Sequence, residues 1–133
     1  MLSQIAWSKD YEVTPSVDEQ HQQLFALVVA LQGALGTQDT AQIQEWFHCL
    51  LEFSEGHMLY EEALMLQTEY PDVECHTKSH RRILVGLLER YQGLLGGEIG
   101  PSELLTVIDN WARAHVLLED APCKEHFLSN KIR

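Results

Sequence analysis

Apolar residues recur at intervals of three and four along most of this chain, which is the spacing of one face of an α-helix. Four segments with this pattern are predicted as helices, over residues 17–35, 41–67, 73–95 and 102–118. Glycine, proline and small polar residues separate the segments, so the connections between the helices are short. Four amphipathic helices with short connections predict an all-α fold, an up-down-up-down antiparallel four-helix bundle.

The two ends of the chain lack this pattern. Residues 1–16 show no sustained period and are predicted to form an extended N-terminal arm, and residues 119–133 are predicted to form a C-terminal tail. The apolar side chains expected to hold the arm against the body are Ile5, Trp7 and Tyr11. A chain of 133 residues can enclose one hydrophobic core. A single domain spanning 1–133 is therefore expected.

Local signals predict where the first two helices begin and end. Ser16 is expected to cap the first helix, because its hydroxyl can accept a hydrogen bond from a free backbone N–H. Gly33 and Gly36 are expected to end that helix, since glycine is common just past a helix C-terminus. Either Asp39 or Thr40 can then cap the second helix.

Composition narrows the classes of partner. The formal net charge is −11, which disfavours binding to nucleic acid or to an anionic membrane. The sequence has no apolar run near the roughly 18 residues that a membrane span needs. Its first residues show no charged segment followed by an apolar one, so a signal peptide is not predicted and a cytoplasmic location is expected.

The three cysteines, Cys49, Cys75 and Cys123, are an odd number without C-x-x-C spacing. Neither a disulfide framework nor a zinc knuckle is therefore predicted. Cys75 directly precedes His76, but adjacent positions on a helix point about 100° apart. Cys75 should therefore face away from whatever His76 contacts.

The stretch from His57 to His80 carries the clearest chemical pattern. His57 and Glu61 are four residues apart, as are His76 and His80, so each pair shares one helix face. Pro71 favours a turn between the pairs, which makes the two helices antiparallel. Both pairs lie among apolar residues, where a buried imidazole or carboxylate is destabilising unless it has a partner. The stretch therefore predicts a metal site, against the alternative that such pairs arise by chance on a surface.

Further residues of the ligand type lie in the first and last helices. His21 lies on an apolar stripe, where a lone histidine would ordinarily be a core residue. His115 and Asp120 are five residues apart, which leaves them about 140° out of register on an ideal helix. Because Pro122 follows, the last turn is predicted to unwind and let Asp120 fold back toward the site. His48 is expected to face solvent.

Four motifs taken together resemble the signature of the hemerythrin family, in particular its single-domain bacterial members, the bacteriohemerythrins. The motifs are Asp18-Glu19-Gln20-His21, His57-x-x-x-Glu61-Glu62, His76-x-x-x-His80 and His115-x-x-x-x-Asp120, in the order and with the loop spacing of that signature. Leu64-Met65, Tyr70-Pro71 and Trp111 also fit it. Each motif is weak by itself, but the resemblance covers nearly the whole chain and all seven ligand positions.

The resemblance implies a non-haem di-iron site that binds dioxygen reversibly. One iron would be held by three histidines and the other by two, and two carboxylates with a hydroxide or oxide would bridge the pair. The residues that match the three-histidine iron are His76, His80 and His115, and those that match the other iron are His21 and His57. The residues that match the bridging carboxylates are Glu61 and Asp120. Such a set fills about eleven of roughly twelve positions around two six-coordinate ions. The open position, on the iron with two histidines, is where dioxygen would bind.

The same resemblance indicates which residues line the dioxygen side, namely Met58, Trp111, Ala112 and Val116. Met58 stands where phenylalanine is common, Ala112 where leucine is usual and Val116 where isoleucine is usual. Two losses of aliphatic volume beside a flexible methionine predict a roomier pocket. The alternative is that neighbouring helices close in, or that Leu117 or Trp111 packs over the gap.

The function that the resemblance implies is that of an oxygen carrier, store or delivery protein, a monomer without catalytic residues that passes dioxygen to an oxygen-consuming enzyme. Imidazoles outnumber carboxylates, and the ligand faces carry no Glu-x-x-His pair of the kind found in ferritin-like di-iron proteins. Two alternatives remain open, an oxygen or redox sensor that acts through a separate partner and a di-iron enzyme that reduces peroxide or nitric oxide. A bundle stabilised by zinc is a more distant one.

Overall fold

Four long helices form the body of the protein. The structure, a computed structural model, describes residues 7–133. The helices are α1, Pro15–Thr37; α2, Thr40–Gln67; α3, Val73–Leu95; and α4, Pro101–Ala114. Each packs against the helix that follows it, and α4 packs back against α1, so the four close into an antiparallel bundle. The predicted all-α four-helix bundle is thus confirmed, and no strand occurs within residues 7–133.

The first helix begins earlier than predicted. Thr14 precedes it in an extended conformation and Pro15 occupies its first turn, where the missing N–H of proline costs nothing. Ser16 therefore lies inside the helix instead of capping it. Its hydroxyl accepts a hydrogen bond from Tyr60 Oη at 3.1 Å, which ties the start of α1 to α2.

The first helix also ends later than predicted, because Gly33 and Gly36 are helical. The chain leaves the helix at Gln38, whose φ of 60° is left-handed. Thr37 supports this end by donating from its hydroxyl to the carbonyl of Ala34 at 2.7 Å. Asp39 then caps α2, as predicted, by accepting from two backbone N–H groups of the first turn.

The connection between α2 and α3 is a tight reversal. Glu69 adopts a left-handed φ of 57°. The next N–H, that of Tyr70, donates to the carbonyl of Met65 at 2.8 Å. This turn lets α3 run back along α2, and the two ligand pairs that flank it come to the same level of the bundle.

The C-terminal segment differs most from the prediction. The chain does not unwind after α4 but widens into a π-helix, His115–Asp120. A 3-10 turn, Ala121–Cys123, and a short helix α5, Lys124–Ser129, follow it. The predicted tail is therefore largely helical, and Phe127 within it is buried.

The N-terminal arm packs on α1. The ring centroids of Trp7 and Tyr11 lie 6.1 and 5.4 Å from that of Phe25. A 3-10 turn, Lys9–Tyr11, interrupts the predicted extended conformation. The predicted contact of Ile5 lies outside the described residues.

Two apolar clusters occupy the two ends of the bundle. The larger extends from Leu24 and Phe25 to Ala112 and Val116, and the smaller is built around Phe127. Along α1, His21 lies between Val17 of the smaller cluster and Leu24 of the larger. The residues predicted as ligands therefore form a layer between two apolar ends.

Some large apolar residues of the helices, among them Trp46 and Leu88, lie partly at the surface. Trp46 is 36% exposed and Leu88 is 44% exposed. Isolated apolar side chains of this kind are ordinary on protein surfaces. Among the helices within the described residues, none has both the length and the apolar character needed to cross a bilayer.

Candidate metal centre

Seven side chains of the metal-ligand type are buried together inside the bundle. They are His21, His57, Glu61, His76, His80, His115 and Asp120. None is more than 8% exposed. Their ligand atoms form two groups, within each of which all atoms lie within 4.8 Å of one another. Glu61 and Asp120 belong to both groups, so two carboxylates join two clusters of imidazoles.

Each helix contributes through its own periodicity. In α2, His57 and Glu61 are one turn apart on the inner face, and in α3 the same spacing aligns His76 with His80. His21 enters from the second turn of α1. Because α2 and α3 are antiparallel and joined by a short turn, their two pairs face each other across the interior.

Asp120 reaches the site because the helix around it is wider than an α-helix. In a π-helix the backbone bonds from residue i to i+5, which brings residues five apart to neighbouring positions. His115 and Asp120 have that spacing, and Nε2 of the first lies 2.9 Å from Oδ2 of the second. The residues predicted to be out of register are therefore aligned without any unwinding.

Asp120 is the centre of the contacts. Its Oδ2 accepts a hydrogen bond from His21 Nε2 at 2.8 Å and lies 3.3 Å from His57 Nε2. Its Oδ1 accepts from His76 Nε2 at 3.0 Å. One carboxylate thus touches imidazoles from three helices, which is the placement a bridging ligand requires.

Glu61 lies on the other side of the same layer. Its Oε1 is 3.3 Å from His80 Nε2 and 3.4 Å from His57 Nε2. The distance to His115 Nε2 is 3.6 Å. Within the described part of the chain neither oxygen of Glu61 has a hydrogen-bond partner, although both are buried.

Contacts within the cluster oppose the effect of burial on its pKa values. Burial raises the pKa of Asp120, but the charge of His115 and the hydrogen bond from His21 outweigh it and hold the pKa well below 3.8. Burial lowers the pKa of His76, but its hydrogen bond to Asp120 and the nearby carboxylate of Glu61 raise it to about 9. The pKa of His115 lies well above 6.5, because Asp120 again outweighs burial. Without metal, these shifts favour an anionic Asp120 with protonated His76 and His115.

The donor set fits a cation. His80 donates its Nδ1–H to Glu62 Oε2 at 2.8 Å, so its Nε2 carries a lone pair. That Nε2 has no hydrogen-bond partner among residues 7–133 and faces Glu61 Oε1, which has none either. Two buried acceptors that face each other are destabilising unless a cation or proton lies between them. Imidazole nitrogens with carboxylate oxygens suit iron or zinc.

The comparison with protein families matches this arrangement. A model of the hemerythrin HHE cation binding domain matches residues 13–122, which include all seven buried ligand-type side chains. The chain belongs to the hemerythrin family.

Curated relatives of this hemerythrin-family chain are bacteriohemerythrins. That of Stenotrophomonas maltophilia (strain R551-3) is 23% identical over 120 residues, covering 90% of this chain and 78% of the relative. That of Pseudomonas paraeruginosa (strain DSM 24068 / PA7) is 25% identical over 121 residues, covering 90% and 79%. The similarity is distant but extends over nearly the whole chain.

Solved hemerythrin structures share the fold. A crystal structure of wild-type hemerythrin superposes with a TM-score of 0.81 at 18% identity and covers 92% of this chain and 97% of that one. A hemerythrin with a leucine-to-alanine substitution superposes with a TM-score of 0.83 at 19% identity and covers 94% and 98%. These likenesses establish the four-helix hemerythrin fold.

Three further residues of this hemerythrin site contact Nδ1 of a histidine, and the sequence analysis gave them no role. Gln20 Oε1 accepts from His57 Nδ1–H at 2.7 Å, and Glu62 accepts from His80. Glu119 Oε2 lies 3.4 Å from Nδ1 of His115. Each of these residues directly adjoins a predicted ligand in the sequence. A polar residue next to a predicted ligand was thus the sequence feature that could have identified them. Which histidine each one contacts depends on how the helices pack.

His115 occupies an intermediate position. The resemblance assigns it to the same iron as His76 and His80, whereas its ligand atom groups with those of His21 and His57. Its ring centroid is closer to that of His80, at 5.3 Å, than to that of His57, at 5.7 Å. A small rotation of the ring moves Nε2 while the backbone stays in place, so the position of His115 is compatible with either group. The division of the histidines between two metals remains a prediction.

The residues predicted to line the dioxygen side lie beside this layer. Met58, Ala112 and Val116 are fully buried. Trp111 is half-buried, and its ring stacks on that of His115 with centroids 6.1 Å apart. Leu117 is 41% exposed, so a large part of its side chain faces solvent. The predicted roominess of the pocket remains a prediction.

Proposed function

We propose that this hemerythrin-family chain binds dioxygen reversibly at a non-haem di-iron centre and serves as an oxygen carrier, store or delivery protein. The observation that carries the proposal is the pair of buried ligand groups that share Glu61 and Asp120. Two carboxylates common to two imidazole clusters are what a bridged pair of metal ions requires. A mononuclear site would need only one of the groups.

In this proposal His76, His80 and His115 would hold one iron, and His21 and His57 would hold the other. Glu61 and Asp120 would be shared by both. An iron pair bound there would provide the electrons that dioxygen takes up on binding and returns on release. The imidazoles are neutral donors, so they leave the centre more positive than a carboxylate-rich set would, which favours return of those electrons.

The surrounding side chains keep water and protons away. Met58, Ala112 and Val116 are buried and apolar, so the dioxygen side offers no acid that could donate a proton. Trp111 covers His115 from the neighbouring turn of the helix. The apolar clusters above and below the ligand layer extend this exclusion. An apolar lining of this kind supports binding over chemical conversion, and hence a binding protein over an enzyme.

The test is the visible spectrum of the iron-loaded protein through repeated cycles of oxygenation and deoxygenation. Reversible binding predicts an absorption band that appears with dioxygen, vanishes under argon and returns at undiminished amplitude. A matched zinc-loaded sample should show no band, because zinc has no redox chemistry.

Two outcomes would contradict the proposal. A single irreversible change to a ferric spectrum would favour a sensor or redox role. Steady consumption of added peroxide or nitric oxide over many turnovers, with a reductant present, would favour an enzyme. Variants of Glu61 that no longer bind iron provide the baseline for both measurements.

A further inference from the structure

His57 and His80 have closely similar outer contacts that differ in charge. Each directs Nε2 toward Glu61, at 3.4 and 3.3 Å. Each donates its Nδ1–H outward, His57 to the amide oxygen of Gln20 at 2.7 Å and His80 to a carboxylate oxygen of Glu62 at 2.8 Å. The side chains of Gln20 and Glu62 are equally long and their hydrogen bonds have nearly the same length, so their main difference is the negative charge of Glu62.

That charge changes the donor strength of the imidazole. A hydrogen bond from Nδ1–H to a carboxylate is charge-assisted and stronger than one to an amide. It draws the proton away from the ring and so raises the basicity of the opposite nitrogen toward a metal. His80 should therefore be a stronger ligand than His57, although both are imidazoles in the same layer.

His115 and His21 have no outer hydrogen bond of this kind. Nδ1 of His115 lies 3.4 Å from a carboxylate oxygen of Glu119, and Glu119 in turn accepts from the Ser79 hydroxyl at 2.9 Å. Neither this nitrogen nor Nδ1 of His21 has a hydrogen-bond partner within the described residues. Among these four histidines, His80 thus donates to a carboxylate and His57 to an amide.

We propose that Glu62 makes the two metal positions unequal, so that the position containing His76 and His80 binds a divalent metal first and more tightly than the position containing His21 and His57. Glu62 is a positioning residue, since it acts through His80 and does not itself contact the metal. Gln20 is its neutral counterpart. This inference rests on the proposed di-metal centre but not on dioxygen binding.

The test is a titration of the metal-free protein with Zn²⁺ under argon, in competition with a chromophoric chelator. The parent protein should bind two ions in two resolved steps. Glu62→Gln keeps the acceptor and removes the charge, and should weaken the first step about 10–100-fold, the usual effect of an outer-shell change. Gln20→Glu adds a negative charge at the acceptor of His57 and should strengthen the second binding step. The two binding affinities should then become more similar.

Glu45→Gln is the matched control. Glu45 is exposed on the same helix as Glu62, and its substitution makes the same change of charge away from the site. It should leave both steps unchanged. Circular dichroism of the metal-free variants checks that each is folded. If Glu62→Gln does not fold, Gln20→Glu decides the question, because it retains the parent contact at His80.

Three results would overturn the inference. These are a single unresolved step in the parent, a loss in Glu62→Gln no larger than in Glu45→Gln, and a loss confined to the second step. Because zinc is redox-inert, the titration is independent of oxygen binding. Two resolved steps in a protein that fails the dioxygen cycles would support this inference and contradict the proposed function, whereas binding of fewer than two ions would contradict both.

Discussion

His115 and Asp120 lie 2.9 Å apart, Nε2 to Oδ2, although five residues separate them in the sequence. The π-helical turn that contains both makes this approach possible. π-helical turns often occur at functional sites, because the extra residue re-aims side chains without breaking the helix. Here the turn directs a histidine and a carboxylate of one helix into the same buried layer.

Removing a shared carboxylate should lower the bound metal content more than removing one histidine does. Glu61→Ala takes a ligand from both groups, whereas His21→Ala takes one from a single group. We expect Glu61→Ala to lose most of its iron and His21→Ala to retain about one ion of two in a di-iron centre. Elemental analysis of freshly loaded protein measures this, with exposed His48→Ala as the control. Equal retention of about two ions by both site variants would contradict the ligand roles.

Filling the dioxygen side should slow irreversible oxidation in air. Ala112→Leu adds bulk at a fully buried position without touching a ligand. If space exists there, water and protons reach the site less easily in the variant, and autoxidation is slower. If no space exists, overpacking would instead destabilise the variant by about 1–3 kcal/mol, visible as a lower Tm. Ala114→Leu, on the exposed side of the same helix, is the control. An unchanged or faster rate with full iron content would show that no such space exists.

The metal-free protein should lose stability as the pH rises. The pKa of His76 is raised to about 9 in the folded protein. Its contribution to the free energy of unfolding is therefore complete below pH 6.5, its pKa in the unfolded chain, and disappears as the pH passes 9. Asp120 has a depressed pKa, so its contribution is present above 3.8 and is lost only in stronger acid. We expect the Tm of the metal-free protein to fall between pH 6.5 and 9.

Metal should reverse this trend. Ligand imidazoles must be neutral to bind, so metal affinity and the Tm of the zinc-loaded protein should rise over the same range. Thermal melts followed by circular dichroism measure both curves. The metal-free variant His76→Gln should show a shallower fall. A flat curve in the metal-free parent would rule out His76 as a charged partner of Asp120.

The three thiols should differ in reactivity. Cys49 and Cys75 are exposed, whereas Cys123 is buried beside Tyr70. Burial raises the pKa of the Cys123 thiol to about 12, so little thiolate forms near neutral pH. Under native conditions a thiol reagent should modify two cysteines rapidly and the third only after unfolding. Rapid modification of all three thiols in the folded protein would contradict this. In Cys123→Ser the slow phase should be absent, which would identify Cys123 as the slowly modified residue.

The sequence by itself determined the helices and most of the ligand set. Hydrophobic periodicity depends on local geometry, so the predicted end points of α3 match the observed Val73–Leu95. The spacing of His57 and Glu61, and of His76 and His80, required only that each segment be helical. Their convergence required only a short antiparallel connection.

Tertiary structure decided what depends on residues distant in the sequence. The π-helix at Asp120 and the left-handed end of α1 at Gln38 follow from how the helices meet, since glycine and proline signals pointed to other residues. The outer partners of the histidines lie on neighbouring helices, as with Gln20 and His57, which are 37 residues apart. Periodicity indicates which face of a helix is buried, but only the packed bundle determines which side chain that face meets.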